Sequence, residues 1–436
     1  MSRTGSKKVE VSFTAGRLTH CGGVYLLHQF LQKIKLRSFF SKNMSIRERN
    51  NKFSVTERLM ALVYPMILGL NSIELVTLFG RNGVFQYLTG LPRVPNPTTL
   101  RRFLVRNADL LLPRLRAVHD TLRTHFLSAS LPQTSVYLDF DSTVKTLYGH
   151  QEGVVKGYNP SRKGKKSYHP LICTEAHLGD CLGGELRYGN VHTAAGVPDM
   201  FKRTLSLLPS SIRTIRVRAD AGFYDGDFVA LLRDNRVGYA VVAHMTCPLK
   251  EKVAHVRYTT VNSALSVAEF HYKPNGWNKP CRFVVLREKL TEERKEQLKL
   301  FTLENYGYHC IVSNLPLTPY TIFEFYENRS GIERIVRTLK EDYPFSKAPT
   351  NGFNANALYT ELSLLSYNIV TWFKRLCLPE DWQSYTIPTL RHRILLVPGV
   401  FTRTNNRPKL KLPRNTPYQE VFGEAQKKIK ELRPLT

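Results

Sequence analysis

The chain carries the stretch SVYLDFDST at residues 135–143. Its apolar and β-branched residues predict a buried strand over 135–141 that ends in an acid. A carboxylate at the carboxyl end of a strand, just before a turn, lies where α/β folds place their sites. The stretch therefore predicts a mixed α/β domain with a polar site at one edge of its sheet.

A second apolar run, over 212–220, also ends in an acid, Asp220, and a Gly-containing turn follows it. Each strand offers an alternative carboxylate. Asp139 lies on the same face of its strand as Asp141, because side chains alternate along a strand. Asp225 is the alternative to Asp220. The strand pattern alone leaves both choices open.

A third polar feature is YENRSGIERIVRTLK, residues 326–340. At about 100° per residue of α-helix, its Tyr326, Arg329, Glu333 and Lys340 are predicted to share one helical face. Such a stripe faces an anion or a metal, or else it is a solvated face with charge pairs. Three carboxylates meeting at one point would repel each other unless a divalent cation lay between them, and Mg²⁺ prefers such oxygen ligands.

These ordered blocks resemble the DDE transposases of bacterial insertion sequences, in the group with a Y-(2)-R-(3)-E-(6)-K signature. The signature is matched without a gap by Tyr326, Arg329, Glu333 and Lys340. The D-x-T pattern of the family falls on Asp141, which favours it over Asp139. The (A/G)-D-x-G-(F/Y) pattern falls on Asp220.

Two further stretches, Gly157-Tyr-Asn-Pro160 and Tyr168-His-Pro170-Leu171, resemble the insertion-sequence-1380-like branch of the insertion-sequence-4 superfamily. The resemblance spans residues 90 to 400. It implies an α/β fold, an RNase H-like catalytic core with a β-rich insertion, preceded by a helical DNA-binding domain.

The resemblance also implies the site. Asp141, Asp220 and Glu333 are the expected catalytic residues and metal ligands, for two Mg²⁺ ions that Mn²⁺ can replace. Arg329 and Lys340 are expected to hold phosphates, and Tyr326 is expected near the cleaved DNA end.

Changes in composition and in secondary-structure pattern along the chain predict five segments. These are a helical DNA-binding domain over 1–130, the first part of the core over 131–246, a β-rich insertion over 247–315, the second part of the core over 316–380, and a basic C-terminal tail over 381–436. In the first segment Ser54 and Glu57 form a capping-box pattern, and Pro113 predicts a break between two helices.

The charge balance indicates a polyanionic partner. The 63 Lys and Arg residues exceed the 35 Asp and Glu residues, which gives a net charge of +28, and nucleic acid is the simplest partner for such an excess. The apolar runs are too short to predict a membrane span. Seven scattered cysteines without a CxxC pair indicate reduced thiols.

Three residues outside the core are candidate DNA contacts: Arg101 and Arg102, on a basic helix that resembles a DNA-binding head, and Trp277, on a turn where it could stack on an unpaired base. The alternatives are an ordinary charged helix face and a tryptophan packed on its own subdomain.

The sequence thus predicts a metal-dependent DNA transposase. Its expected partner is double-stranded DNA, both terminal inverted repeats and target, bound by a homodimer in a synaptic complex in the bacterial cytoplasm at the nucleoid. Two alternatives stay open: a non-catalytic, domesticated DNA-binding protein, and a structure-selective nuclease of RNase H fold.

Overall fold

The structure is a computed structural model that describes residues 11–46, 52–131, 134–160, 162–290, 301–303, 305–414 and 419–435. The chain divides into two compact units, one of residues 1–100 with 372–436 and one of residues 101–371. These limits do not coincide with the segment boundaries expected near 130 and 380, which stay predictions. Residues 291–300 of the expected insertion lie outside the described residues.

The first unit is mainly helical. Its helices span Val24–Lys33, Leu36–Asn43, Val55–Ile67, Thr77–Gly80, Gly83–Thr89, Ile387–Leu390 and Gln419–Glu431. Three short strands, Leu18–Thr19, Gly399–Thr404 and Arg407–Lys411, form a separate antiparallel sheet. The capping box is confirmed, because the Ser54 hydroxyl accepts from the Glu57 amide and the Glu57 carboxylate accepts from the Ser54 amide.

A mixed central sheet organises the second unit. Its ten strands are β1 (Ser135–Ser142), β2 (Leu171–Glu175), β3 (Cys181–Glu185), β4 (Thr214–Ala219), β5 (Gly238–Val242), β6 (Thr259–Thr260), β7 (Leu265–Tyr272), β8 (Cys281–Lys289), β9 (Phe301–Leu303) and β10 (Tyr306–Ser313). The strand order is β6-β7-β8-β10-β5-β4-β1-β2-β3, and β9 pairs with β10.

Strand direction divides this sheet into two parts. Strand β1 is parallel to β4, and β4 is parallel to β5, whereas β2 and β3 run antiparallel beside β1. The strands of the insertion continue the sheet in antiparallel fashion from β5 through β10. The predicted β-rich insertion is thus a direct extension of the sheet that holds the two acidic strand ends.

Seven helices with bounds in the described residues run in or into the second unit. They are Pro97–Ser130, Val197–Leu207, Gly226–Asp234, Cys247–His255, Pro319–Glu327, Ser330–Glu341 and Phe353–Cys377. Along the chain, the strands β1 to β3 are followed by the helix Val197–Leu207, β4, the helix Gly226–Asp234 and β5. The predicted break at Pro113 is wrong, because one helix runs through it. Burial of Leu111, Leu112 and Leu115 beside the proline compensates for the hydrogen bond that proline removes.

Alternation along β1 separates an apolar face from a polar one. Val136, Leu138 and Phe140 join a core cluster with the helices Val197–Leu207 and Gly226–Asp234. Asp139 and Asp141 point to the opposite face, as the period of a strand requires. The chain after the insertion supplies the helices Pro319–Glu327 and Ser330–Glu341 to that polar face, where the arginine contacts described below hold them.

No helix in the described parts of the chain combines the length and the apolar character that crossing a bilayer requires.

A buried polar network lies on the helix Phe353–Cys377. Glu361 accepts from His119 Nδ1 at 2.7 Å and lies 3.6 Å from Arg123 Nη2. Arg123 Nε also donates to the Cys181 carbonyl of β3, so the network ties two long helices to the edge of the sheet.

We expect the substitution Glu361→Ala to lower the free energy of unfolding by about 3 kcal/mol, the lower end for breaking a buried ion pair. The substitution removes the buried carboxylate that bonds to His119 and lies beside Arg123, whereas Arg123 keeps its bond to Asp120 Oδ1 at 2.9 Å. The exposed Glu341→Ala is the matched control, with an expected change below about 0.5 kcal/mol. Urea unfolding followed by circular dichroism measures both. Equal losses would contradict a stabilising role for the network.

Candidate active site

The two strand-end acids meet at one edge of the central sheet. In the parallel register of β1 and β4, Asp139 pairs with Arg218 and Phe140 with Ala219, so the next step along both strands brings Asp141 beside Asp220. Burial raises the pKa of Asp141 to about 6; the Arg329 guanidinium opposes this rise, and Asp220 and then Glu333 add to it. The three predicted carboxylates therefore act on one another electrostatically.

Asp139 has a different role from Asp141. Both of its oxygens accept from Arg218, Oδ1 from Nε at 2.7 Å and Oδ2 from Nη2 at 2.9 Å, and its side chain is fully buried. A paired, buried carboxylate is unavailable to a ligand, whereas the Asp141 side chain keeps 15% exposure. The geometry thus supports the choice of Asp141 that the D-x-T pattern favours.

Arg329 is bound to β1. Its Nη2 donates to Asp141 Oδ1 at 2.9 Å and to the Phe140 carbonyl at 2.9 Å, and its side chain is only 6% exposed. The sequence analysis predicts a phosphate contact for Arg329. In the structure this guanidinium holds a candidate ligand in place instead.

The four signature residues do not share one continuous helix, so that expectation is wrong. The helix Pro319–Glu327 ends before Arg329, and the next helix, Ser330–Glu341, begins after it. The cause lies at Phe325, whose carbonyl accepts from Arg218 Nη1. The Arg329 amide bonds to the Tyr326 carbonyl instead, at 2.9 Å, so the regular α-helical ladder is interrupted there.

Glu333 stands apart from the two aspartates. Its side chain is 72% exposed, and its Oε1 lies 4.0 Å from Arg329 Nη1. Among the residues that the structure describes, no three His, Cys, Asp or Glu side chains lie close enough together to hold a metal ion. The acids occur in one neighbourhood without forming a closed ligand cage.

A cavity of about 890 Å³ opens beside the acids. Asp220, Tyr326 and Lys340 line it. Burial raises the pKa of Tyr326 to about 12, so its hydroxyl stays protonated at neutral pH. Burial also lowers the pKa of Lys340, an effect that Asp141 opposes. Two of the four signature residues thus face the same space as one candidate ligand.

The sequence analysis missed several polar residues of this cavity, among them His169. His169 Nδ1 donates to the Val191 carbonyl at 3.2 Å, because a carbonyl can only accept, and Nε2 lies 3.1 Å from Ser142 Oγ. Burial lowers the pKa of His169, so the ring is neutral at neutral pH and its Nε2 then accepts from the hydroxyl. The stretch Tyr168-His-Pro170-Leu171 contains it, but the spacing of the histidines gave no metal pattern.

Two glycines explain how the cavity wall is built. A Cβ at Gly157 would lie 1.9 Å from the Gly189 carbonyl oxygen, and one at Gly189 would lie 2.0 Å from the Ser167 oxygen. Only glycine allows such a close backbone approach. The two loops cross at this point, and the residues that follow each glycine, Tyr158 and Asn190, line the cavity.

The remaining predicted residues lie elsewhere. Asp225 caps the helix Gly226–Asp234 by accepting from two backbone amides, which is a structural role. Trp277 packs against the Tyr224 ring at 5.0 Å, so the packing alternative fits it better than base stacking. Arg101 Nε donates to the Pro349 carbonyl at 3.0 Å, whereas Arg102 is exposed.

Comparison with known proteins gives the family. The chain belongs to the family described as Transposase DDE domain group 1, whose sequence profile matches residues 1–434. It is therefore a DDE transposase by family. A search of curated proteins gives no significant match.

Two solved structures are similar at low identity. A piggyBac transposase synaptic complex with hairpin DNA is 12% identical, with a TM-score of 0.47, over 87% of this chain and 80% of that chain. A Drosophila P element transposase strand transfer complex is 12% identical, with a TM-score of 0.22, over 49% of this chain and 42% of that chain.

The two acids of β1 are expected to respond differently to substitution. Asp139→Asn should lower the free energy of unfolding by about 3–5 kcal/mol, because it breaks a buried ion pair with two hydrogen bonds. Asp141→Asn should cost less, because Asp141 makes one bond to Arg329 and reaches solvent. Urea unfolding of both variants is the measurement, and a larger loss for Asp141→Asn would contradict the assignment.

Lys145, which follows β1, should make stability depend on pH. It donates to the Lys347 carbonyl, and burial lowers its pKa to about 7. The unfolded chain therefore binds more protons than the folded one above pH 7, and this group makes the folded state more stable as pH rises from there toward its ordinary value of 10.5.

The variant Lys145→Met lacks this rise. The stability of the unaltered protein relative to the variant should therefore increase between pH 7 and pH 10, by at most about 1.4 kcal/mol per unit. Lys166→Met is the control and should give a constant difference. Lys166 is exposed in the strand Lys166–Tyr168, which pairs with the strand Lys145–Thr146. Thermal unfolding at a series of pH values measures both differences. A stability difference between the unaltered protein and Lys145→Met that does not change with pH would contradict burial of the Lys145 amine.

Proposed function

We propose that this transposase cleaves DNA at the ends of its own element and joins the freed 3′-OH to target DNA. The observation that carries the proposal is the pair Asp141 and Asp220, side by side at the carboxyl ends of two parallel strands. Glu333 lies on the facing helix, and Tyr326 and Lys340 line the adjoining cavity. Two adjacent acids beside a cavity that Lys340 lines are suited to phosphodiester chemistry.

The donor chemistry fits divalent cations. Burial, and after it the charges of Asp220 and Glu333, raise the pKa of Asp141 to about 6. A nearby cation would therefore stabilise the ionised form of Asp141. Carboxylate oxygens are the ligands that Mg²⁺ prefers. Asp141, Asp220 and Glu333 would hold two Mg²⁺ ions, or Mn²⁺ in their place. Charge compensation at the attacking and leaving oxygens is the chemistry that such ions supply when bound.

The side chains around the acids have separate tasks. Arg329 is a positioning residue that fixes Asp141 by its bond at 2.9 Å. Lys340 holds a phosphate of the bound strand as a point charge. The protonated Tyr326 hydroxyl donates a hydrogen bond near the cleaved end.

These groups serve two successive displacements at phosphorus. Water attacks the phosphate at the element end and the P–O3′ bond breaks. The phosphate stays on the 5′ side, and the leaving 3′ oxygen takes up the proton that the water gives up. That 3′-OH then attacks a target phosphate and displaces a target 3′ oxygen, so one phosphodiester bond replaces another. Neither step needs a covalent bond to the protein.

The topology supports an RNase H-like core. Three antiparallel strands, β1 to β3, are followed by two strands parallel to β1, in the spatial order β3-β2-β1-β4-β5. The gapless Y-R-E-K signature supports the insertion-sequence-4 superfamily, and the stretches at 157–160 and 168–171 support its insertion-sequence-1380-like branch. A homodimer in a synaptic complex follows from the chemistry, because two element ends must be processed together.

The test incubates the purified full chain with a labelled duplex ending in the element's terminal repeat and a supercoiled plasmid, with Mg²⁺ or with EDTA. We expect 3′-end cleavage and joining to the plasmid only with metal. Asp141→Asn, Asp220→Asn and Glu333→Gln should each lower cleavage by at least about a thousandfold while DNA binding persists.

Asp225→Asn is the matched control, because the asparagine side chain can still cap its helix, and it should leave cleavage unchanged. Binding without cleavage under any divalent ion would favour the non-catalytic alternative. Cleavage without joining would favour the nuclease. Cleavage at the unaltered rate by all three acid variants would contradict the assignment of Asp141, Asp220 and Glu333 to the active site.

A further inference from the structure

A two-stranded hairpin in the first unit, residues 399–411, is separate from the acidic site and is here named the ribbon. Its strands Gly399–Thr404 and Arg407–Lys411 pair antiparallel over five residue pairs. Asn405 and Asn406 form the turn with φ of 50° and 57°, the left-handed conformation that a tight hairpin turn requires and that asparagine tolerates. The expected irregular tail thus contains a regular hairpin.

The ribbon has two chemically different faces. Residues directly opposite each other share a face, so Val400, Thr402 and Thr404 lie on the same side as their partners Lys411, Lys409 and Arg407. The other face carries Phe401, Leu410, Arg403 and Pro408. One face is therefore cationic and hydroxylated, and the other is largely apolar.

The apolar face is turned toward the body of the unit. Phe401 contacts the Tyr87 ring at 4.6 Å, and its amide donates to the Arg17 carbonyl. At the base of the ribbon, a Cβ at Gly22 would lie 2.8 Å from Leu412, which shows how closely the backbone approaches. Strand pairing between Leu18 and Val400 completes the attachment.

The cationic face is left exposed. Arg407, Lys409 and Lys411 are all exposed, and alternate residues on a strand are about 6.8 Å apart. The surrounding sequence contains no compensating charge, because residues 382–419 hold seven Lys or Arg and no Asp or Glu. Arg403 and the two asparagines at the tip are exposed as well.

We propose that the ribbon binds duplex DNA by placing its cationic face in the major groove. The major groove of B-DNA, about 12 Å wide, admits a two-stranded β-ribbon. Arg407, Lys409 and Lys411 contact phosphates along the groove, and Asn405 and Asn406 at the tip reach base edges. Asparagine pairs with adenine in the major groove by two hydrogen bonds.

This inference rests on the proposed function for its biological setting, recognition of the element's ends, but not for its chemistry. The acidic site requires metal cations and is proposed to cleave DNA. The ribbon carries positively charged side chains and is proposed to bind DNA. Binding is its readout, so a failure to detect cleavage leaves the ribbon measurement intact, and a failed ribbon measurement leaves the cleavage assay intact.

The test compares two full-length variants that each lose three positive charges in the first unit. The ribbon variant is Arg407→Gln, Lys409→Gln and Lys411→Gln, and the control is Lys427→Gln, Lys430→Gln and Arg433→Gln, all exposed. Fluorescence anisotropy with a 30-base-pair duplex of mixed sequence gives affinity at several salt concentrations, and thermal unfolding checks that both variants are folded.

For the ribbon variant we expect at least about tenfold weaker binding at 0.1 M salt and a salt slope smaller by about 2.7, since each phosphate contact contributes about 0.9. The control should change the slope by less than about one contact. Equal effects in the two variants would overturn the proposal, because the cations would then merely protect an exposed edge strand from pairing with other chains.

The groove is tested on the unaltered protein. Guanine N7 faces the major groove, so methylation of N7 within the bound DNA sequence should weaken binding by the unaltered protein. The ribbon variant should no longer respond to this methylation. RNA duplex, whose major groove is deep and narrow, should bind at least about tenfold more weakly than DNA. Equal affinity for RNA, or no interference by N7 methylation, would overturn the major-groove placement.

Discussion

Two arginines, each paired with a carboxylate of β1, join the central sheet to the helices that follow the insertion, and the site depends on them. Arg218 of β4 takes both oxygens of Asp139 and also binds the Phe325 carbonyl. Arg329 reaches back to Asp141 and the Phe140 carbonyl. Because the sheet face between them is polar, these bonds, rather than apolar packing alone, set where Glu333 lies relative to the two aspartates.

The same contacts explain the local shape of the signature. Since Phe325 gives its carbonyl to Arg218, the helix ends at Glu327 and restarts at Ser330. Arg329 then occupies the junction with its side chain buried against β1. The signature therefore combines two functions in one short stretch: Arg329 organises an acid, while Tyr326 and Lys340 face the cavity.

Local patterns predicted the strands that end in Asp141 and Asp220, because alternation and acidic strand ends are short-range signals. The pairing of Asp139 with Arg218 could not be predicted, since it depends on the register between strands 79 positions apart. The unbroken helix through Pro113 escaped prediction for a similar reason: burial of its flanking leucines outweighs a local signal. The ribbon was hidden because its apolar face is short and interrupted by cations.

The charge distribution fits the proposed placement of cleavage and groove binding on different segments. A carboxylate beside a phosphate contact would repel the strand that the cation attracts, so residues 382–419, with no acid, suit binding alone. The site has the opposite requirement: Asp141 and Asp220 must stay close despite their repulsion, and burial, with this repulsion adding to it, raises the pKa of Asp141 to about 6. A net charge of +28 therefore does not describe a uniformly basic protein. It is the sum of an acidic site, which needs metal cations, and of basic surfaces, whose positive side chains attract DNA phosphates.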